Sequence, residues 1–119
     1  MSRSVIQDYT EGSCYLCALL EGDPERKAVL QEHHIFGGPL RRKSEHYGLK
    51  VRLCFAHHGE KGDMDVHRPD RNDNGELLKM IGQKAFEYRY GHERFMEEFG
   101  KDYIAGYFCD TDEYPGNIP

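Results

Sequence analysis

A chain of 119 residues has room for one domain with a modest core, and 38% hydrophobic against 31% charged residues makes it rather polar. No apolar run approaches the roughly 18 residues of a membrane span, and the first six residues lack a signal peptide's apolar stretch, so a cytoplasmic protein is expected. The net charge of −5 speaks against a nucleic-acid partner, but residues 26–61 carry eight Lys or Arg against three Glu, and five of the seven histidines. A phosphate backbone favours such a local basic patch whatever the global sign.

In chain order, Cys14 and Cys17 come first, as a C-x2-C pair. Asp23-Pro24-Glu25 predicts a short helical turn, with Asp as cap and Pro at the first helical position. Residues 29–36 read as a strand, ended by Gly37-Gly38-Pro39, which opens a loop carrying Arg41, Arg42 and Lys43. Leu49, Val51 and Leu53 alternate with Lys50 and Arg52, predicting a half-buried strand over 49–53 with a basic outer face. Residues 54–60 then start a helix or a zinc-knuckle turn.

Residues 62–75 are rich in turn formers. An amphipathic helix is predicted at 76–90, with Leu77, Leu78, Ile81, Ala85, Phe86 and Tyr88 at its apolar positions. Gly91 ends it, a second helix runs over 92–99, and Gly100 stops that one. After Ile104 no periodicity is visible. The expectation is a single α+β domain over 1–119: a ligand-bearing core at 14–67, helices at 76–100 and a tail at 105–119.

In a cytoplasmic setting paired cysteines are more often metal ligands than disulfides. Cys54 and His57 repeat the x2 spacing of Cys14 and Cys17, so the two pairs complete a four-ligand tetrahedral zinc shell. A core this small gains from such a staple, because metal binding adds to folding free energy. Cys109 is the competing fourth ligand; the local spacing favours His57.

His33, His34, His58 and His67 are left over, while His46 and His92 read as ordinary surface or core residues. Adjacent strand residues point to opposite sides. If the strand ends at the doublet, however, one imidazole can bind a metal while its neighbour faces a water. Phosphodiester hydrolysis needs both roles, a cation that neutralises phosphate charge and a base titrating near neutrality. Histidine suits the second role best.

The run Cys14-x2-Cys17, His33-His34-Ile35, Gly37-Gly38 and Leu53-Cys54-x2-His57-His58, with Lys61 after it, resembles an HNH endonuclease carrying a structural zinc. It is also similar to phage-encoded Ref-like HNH nucleases, over about residues 14–67. The resemblance implies a zinc-stapled ββα-metal (His-Me finger) core that hydrolyses DNA in the cytoplasm of a host cell; it does not extend to the C-terminal helices, which periodicity alone predicts. Zn²⁺ would sit on Cys14, Cys17, Cys54 and His57, and Mg²⁺ or another divalent cation on His33 and His58, with His67 as a further candidate ligand. His34 would be the general base, and Arg41, Arg42, Lys43 and Lys61 would contact DNA phosphates. The C-terminal helices would pack on the motif or add duplex contacts through Lys79, Lys84 and Arg89.

Two departures stand out. His57 replaces the commoner Cys, and the family's middle Asn falls where this chain has Gly48-Leu49-Lys50, which leaves Ser44, His46 or Tyr47 to substitute. The rival readings are a noncatalytic zinc-bound nucleic-acid-binding module and a phage assembly adaptor. Neither gives a reason for His33, His34 and His58 together.

Overall fold

The alternating segment around Val51 needs a partner strand, and the segment before Gly37 supplies it. The computed structural model describes residues 3–58 and 73–108. In it β1 (Gln31–His34) and β2 (Lys50–Leu53) form a two-stranded antiparallel sheet. The register pairs Gln31 with Leu53, Glu32 with Arg52, His33 with Val51 and His34 with Lys50. Directly opposed residues share a face. Gln31, His33, Val51 and Leu53 therefore lie on one side, and Glu32, His34, Lys50 and Arg52 on the other.

Val51 and Leu53 are fully buried, so the first face belongs to the core. The second face corrects an expectation, because Lys50 is not an outer basic residue but only 1% exposed. Its Nζ lies 2.8 Å from Glu45 Oε2 and 3.4 Å from Glu32 Oε2. The connection between the strands folds over this face and brings Glu45 with it.

That connection is not the predicted loop at Arg41, Arg42 and Lys43. A one-turn 3-10 helix (Gly38–Leu40) leads into α2 (Arg41–His46). Pro39 presets a helical φ of about −65°, and its missing N–H is harmless at a helix start. The buried Ser44 hydroxyl ties the connection at both ends: it donates to Leu49 O (2.5 Å) and accepts from Phe36 N (3.2 Å).

Gly48 then turns the chain at φ +71°, and a Cβ there would sit 2.2 Å from the Arg3 carbonyl oxygen. This position demands glycine on both counts, and its Cβ clash excludes an asparagine. Gly48→Ala should cost more than the roughly 1–2 kcal/mol of a left-handed alanine, because backbone must also move. A melting curve within a degree of wild type would contradict this.

Before the sheet lies α1 (Tyr15–Glu21), which the sequence reading did not anticipate; Gly22, at φ +65°, closes it. The predicted helical turn at Asp23-Pro24-Glu25 is absent. Asp23 instead accepts a bond from Glu25 N (3.0 Å) and pairs with Lys27 (2.9 Å), a local side-chain bond that competes with helix formation. After β2, α3 (Phe55–His58) follows directly, which gives the order β-β-α. The turn-rich stretch from 59 to 72, with Lys61 and His67, and the tail from 109 on, with Cys109, lie outside the described residues.

Helices α4 (Asp73–Tyr90) and α5 (His92–Phe99) answer the two predicted helices, and α6 (Tyr103–Phe108) was not foreseen. Asp102 caps α6 by accepting from Ile104 N (3.1 Å) and Ala105 N (2.9 Å). The buried Gln83 of α4 accepts from Tyr103 N (2.8 Å) and locks the two helices together.

Leu78, Gly82 and Phe86 form the core-facing row of α4, and Gly82 packs against Ile35 and Phe36. Tyr88, expected on the apolar face, is 92% exposed because two residues past Phe86 is about 200° around the helix. Phe36 meets Phe95, Phe99 and Tyr103 at centroid distances of 5.8, 4.7 and 5.2 Å. The C-terminal helices thus pack on the segment directly after β1. Among the described residues no helix is long and apolar enough to cross a membrane.

Candidate metal centre and histidine faces

Cys14 precedes α1 and Cys17 sits in its first turn; Cys54 immediately precedes α3 and His57 lies within it, and His57 N donates to Cys54 O (3.1 Å). The four side chains converge. Cys17 Sγ lies 3.7 Å from Cys54 Sγ. His57 Nδ1 lies 3.5, 3.7 and 3.3 Å from the sulfurs of Cys14, Cys17 and Cys54. A tetrahedral zinc with bonds of about 2.3 Å to sulfur and 2.0–2.1 Å to nitrogen requires edges of about 3.8 Å (S–S) and 3.6 Å (S–N). The agreement makes this Cys3His set consistent with a zinc site.

His57 thus fills the fourth corner through Nδ1, which leaves its proton on Nε2. That atom is buried without a hydrogen-bond partner and lies 3.7 Å from Glu21 Oε2. A carboxylate behind a ligating imidazole is the common way to fix its tautomer.

Burial pushes the Cys17 thiol up to about 12, helped by contacts with Cys14 and Cys54. Burial also opposes the Cys54 thiolate, but bonds from His57 N and the neighbouring thiols outweigh it and the net shift is downward. Burial holds the His57 pKa below its ordinary 6.5, against the pull of Glu21, and so favours the neutral ligand form.

Because binding must still expel thiol protons, the apparent zinc affinity should rise steeply as the pH climbs from about 5.5 to 8. Competition against a chromophoric chelator measures it. An affinity that does not change with pH would contradict a thiolate-rich site.

The remaining histidines divide between the two faces of β1. His33, on the core face, meets His58 of α3 with ring centroids 5.1 Å apart and planes at 65°. Gln31 Oε1 lies 2.6 Å from His58 Nδ1. That oxygen only accepts, so Nδ1 carries the proton and Nε2 the lone pair. His57 and His58, adjacent on α3, therefore serve different clusters.

His34 points to the opposite face. Its Nε2 is 2.7 Å from Glu45 Oε1, and Arg41 Nε donates to its Nδ1 at 3.4 Å. The strand tip thus does not turn the two rings of the doublet to a common side. Around His34 is an open groove of about 780 Å³, lined by Glu32, Gly38, Arg41, Arg42, Glu45 and His46.

Arg41 and Arg42 are exposed at this groove. Lys43 differs, because its ammonium is tied to α5 through Glu98 O (2.6 Å). Of the residues considered for the missing Asn, Ser44 braces the loop, Tyr47 bonds Glu98 through its hydroxyl (3.2 Å) and His46 lines the groove. Contact with His34 is made by Glu45, which sequence reasoning overlooked. Its only signal was a carboxylate eleven positions downstream, and no periodicity marks that offset.

Glu32, His34 and Glu45 place three ligand atoms within 4.8 Å of one another. The Lys50 ammonium already stands between the two carboxylates, so a divalent ion would have to displace a buried, paired cation. Comparison with known proteins returns no matching family model, curated protein or solved structure.

Proposed function

We propose that the chain is a metal-dependent, HNH-type endonuclease that hydrolyses DNA phosphodiester bonds, with its β-β-α segment serving as a ββα-metal core. The observation that carries this reading is the approach of His33 and His58, with Gln31 fixing the His58 tautomer, beside a zinc set that is already complete without either residue. A structural staple alone leaves this second pair of imidazoles without a purpose. Mg²⁺ or a similar ion held by His33 and His58, with His67 as a further candidate ligand, would neutralise charge on the scissile phosphate and on the departing 3′ oxygen.

A bound phosphodiester would have to span the end of β1, with His33 and His58 on one face and His34 on the other. His34 takes a proton from water as the water oxygen bonds to phosphorus. The bond from phosphorus to the 3′ oxygen breaks, and that oxygen takes a proton from solvent. The products carry 5′-phosphate and 3′-hydroxyl ends. Arg41 and Arg42 supply phosphate contacts along the groove, and Lys61 is placed in the same role by the sequence pattern.

The test is supercoiled plasmid incubated with zinc-loaded protein and Mg²⁺ or Mn²⁺. Nicked circles are expected. His33→Ala and His58→Ala should each raise the divalent-cation concentration needed for half-maximal nicking by about tenfold or more. Wild-type protein that is inert with every metal and DNA form, while holding zinc, would leave a noncatalytic zinc module as the better account.

A further inference from the structure

We infer that Glu45, held in place by the buried Lys50, is the residue that positions His34, so that the ring acts through Nδ1 with its proton fixed on Nε2. This deepens the nuclease reading and rests on it for the catalytic consequence, but its geometry is independent of that reading.

Three contacts define the arrangement. Glu45 Oε2 receives Lys50 Nζ at 2.8 Å, which leaves Oε1 to face His34 Nε2 at 2.7 Å. The Lys50 side chain is 2% exposed and also lies 3.4 Å from Glu32 Oε2, so it has little freedom to release Glu45. On the other edge of the ring, Arg41 Nε donates to Nδ1 at 3.4 Å.

An N–H donor at Nδ1 and a carboxylate at Nε2 select one neutral tautomer, with the lone pair on Nδ1. Nδ1 is also the edge turned toward Arg41, whose guanidinium is the right group for a phosphate oxygen. The 3.4 Å contact is long for a hydrogen bond, so an incoming phosphate can draw Arg41 away and open Nδ1 to water. Once Nδ1 takes the water proton, the imidazolium that forms keeps its Nε2–H on the Glu45 carboxylate. A carboxylate behind a histidine base does this work in hydrolytic triads. Glu45 is thus a positioning residue that acts through His34.

The test combines ring-nitrogen NMR with steady-state cleavage of plasmid in Mg²⁺. In uniformly ¹⁵N-labelled zinc-loaded protein, the His34 resonances are those lost in His34→Gln. With the ring neutral, wild type should show a protonated Nε2 and an unprotonated Nδ1. Glu45→Ala should populate both tautomers and lower kcat by on the order of 10²–10⁴-fold, with KM within about threefold.

Glu45→Gln, the same shape without the charge, should fall between Glu45→Ala and wild type, and it serves if the alanine variant folds poorly. A wild-type ring protonated on Nδ1 would overturn the inference, as would a Glu45→Ala protein that keeps both tautomer and kcat. If the tautomer follows Glu45 but wild type cuts no DNA, the nuclease reading fails while the hold of Glu45 on the ring stands.

Discussion

Cys14→Ser should lose most of its bound zinc and, with it, a cooperative melting transition. Structural zinc contributes on the order of 10–16 kcal/mol in apparent binding free energy at neutral pH. Small domains retain only about 5–15 kcal/mol of net stability, so the metal is comparable to the whole margin. The geometry adds to this. Cys14 is fully buried, and the four ligands tie the start of α1 to the segment after β2, alongside the packing of Leu16 against Val51 and Leu53 in the core. Elemental analysis and a thermal melt check the result together. Cys109→Ser is the control and should keep both zinc and melting temperature. Equal zinc loss in that variant would move the fourth ligand from His57 to Cys109.

His34→Ala should lower plasmid nicking by about 10²–10⁴-fold, the usual contribution of a positioned general base, while zinc content stays at the wild-type level. The separation follows from the two faces of β1. His34 lies on the side of Glu45 and Arg41, whereas the zinc ligand His57 lies with α3 beyond the core face. Truncation also leaves no unpaired buried charge, because Glu45 keeps Lys50 at 2.8 Å. The melting temperature should therefore change little. A large stability loss would place His34 in the framework rather than in the chemistry.

The parts of the fold legible in the sequence are those with a strong local signal. The x2 pairs identified all four members of the candidate zinc cluster, because a tight turn presents two ligands wherever the chain later goes. The α5 boundaries followed from flanking glycines, and the structure places Gly91 and Gly100 at positive φ on either side of it. The pairing of His33 with His58 was also available, since the zinc shell accepts only one residue of the second doublet.

What escaped depends on contacts across the chain. Lys50 sits in an alternating pattern as an outer residue, and only the path of α2 brings Glu45 over it. A run of Arg41, Arg42 and Lys43 after Gly37-Gly38-Pro39 resembles a loop because breakers precede it, yet Pro39 initiates a helical turn as readily as it ends a strand. Helix α6 was missed for a different reason. Its cap, Asp102, is visible in the sequence, but its backing from Gln83 comes from α4 and no periodicity announces it.

The proposed function divides the work between two sites: Cys14, Cys17, Cys54 and His57 would hold the fold, and His33, His34 and His58 would do the chemistry. The measurement that tests it most directly pairs wild type with His34→Ala, assaying bound zinc and Mg²⁺-dependent nicking of supercoiled plasmid on the same preparations. The account predicts equal zinc in both proteins and nicking by wild type alone. Equal zinc with no nicking by either protein, or equal nicking by both, would contradict it.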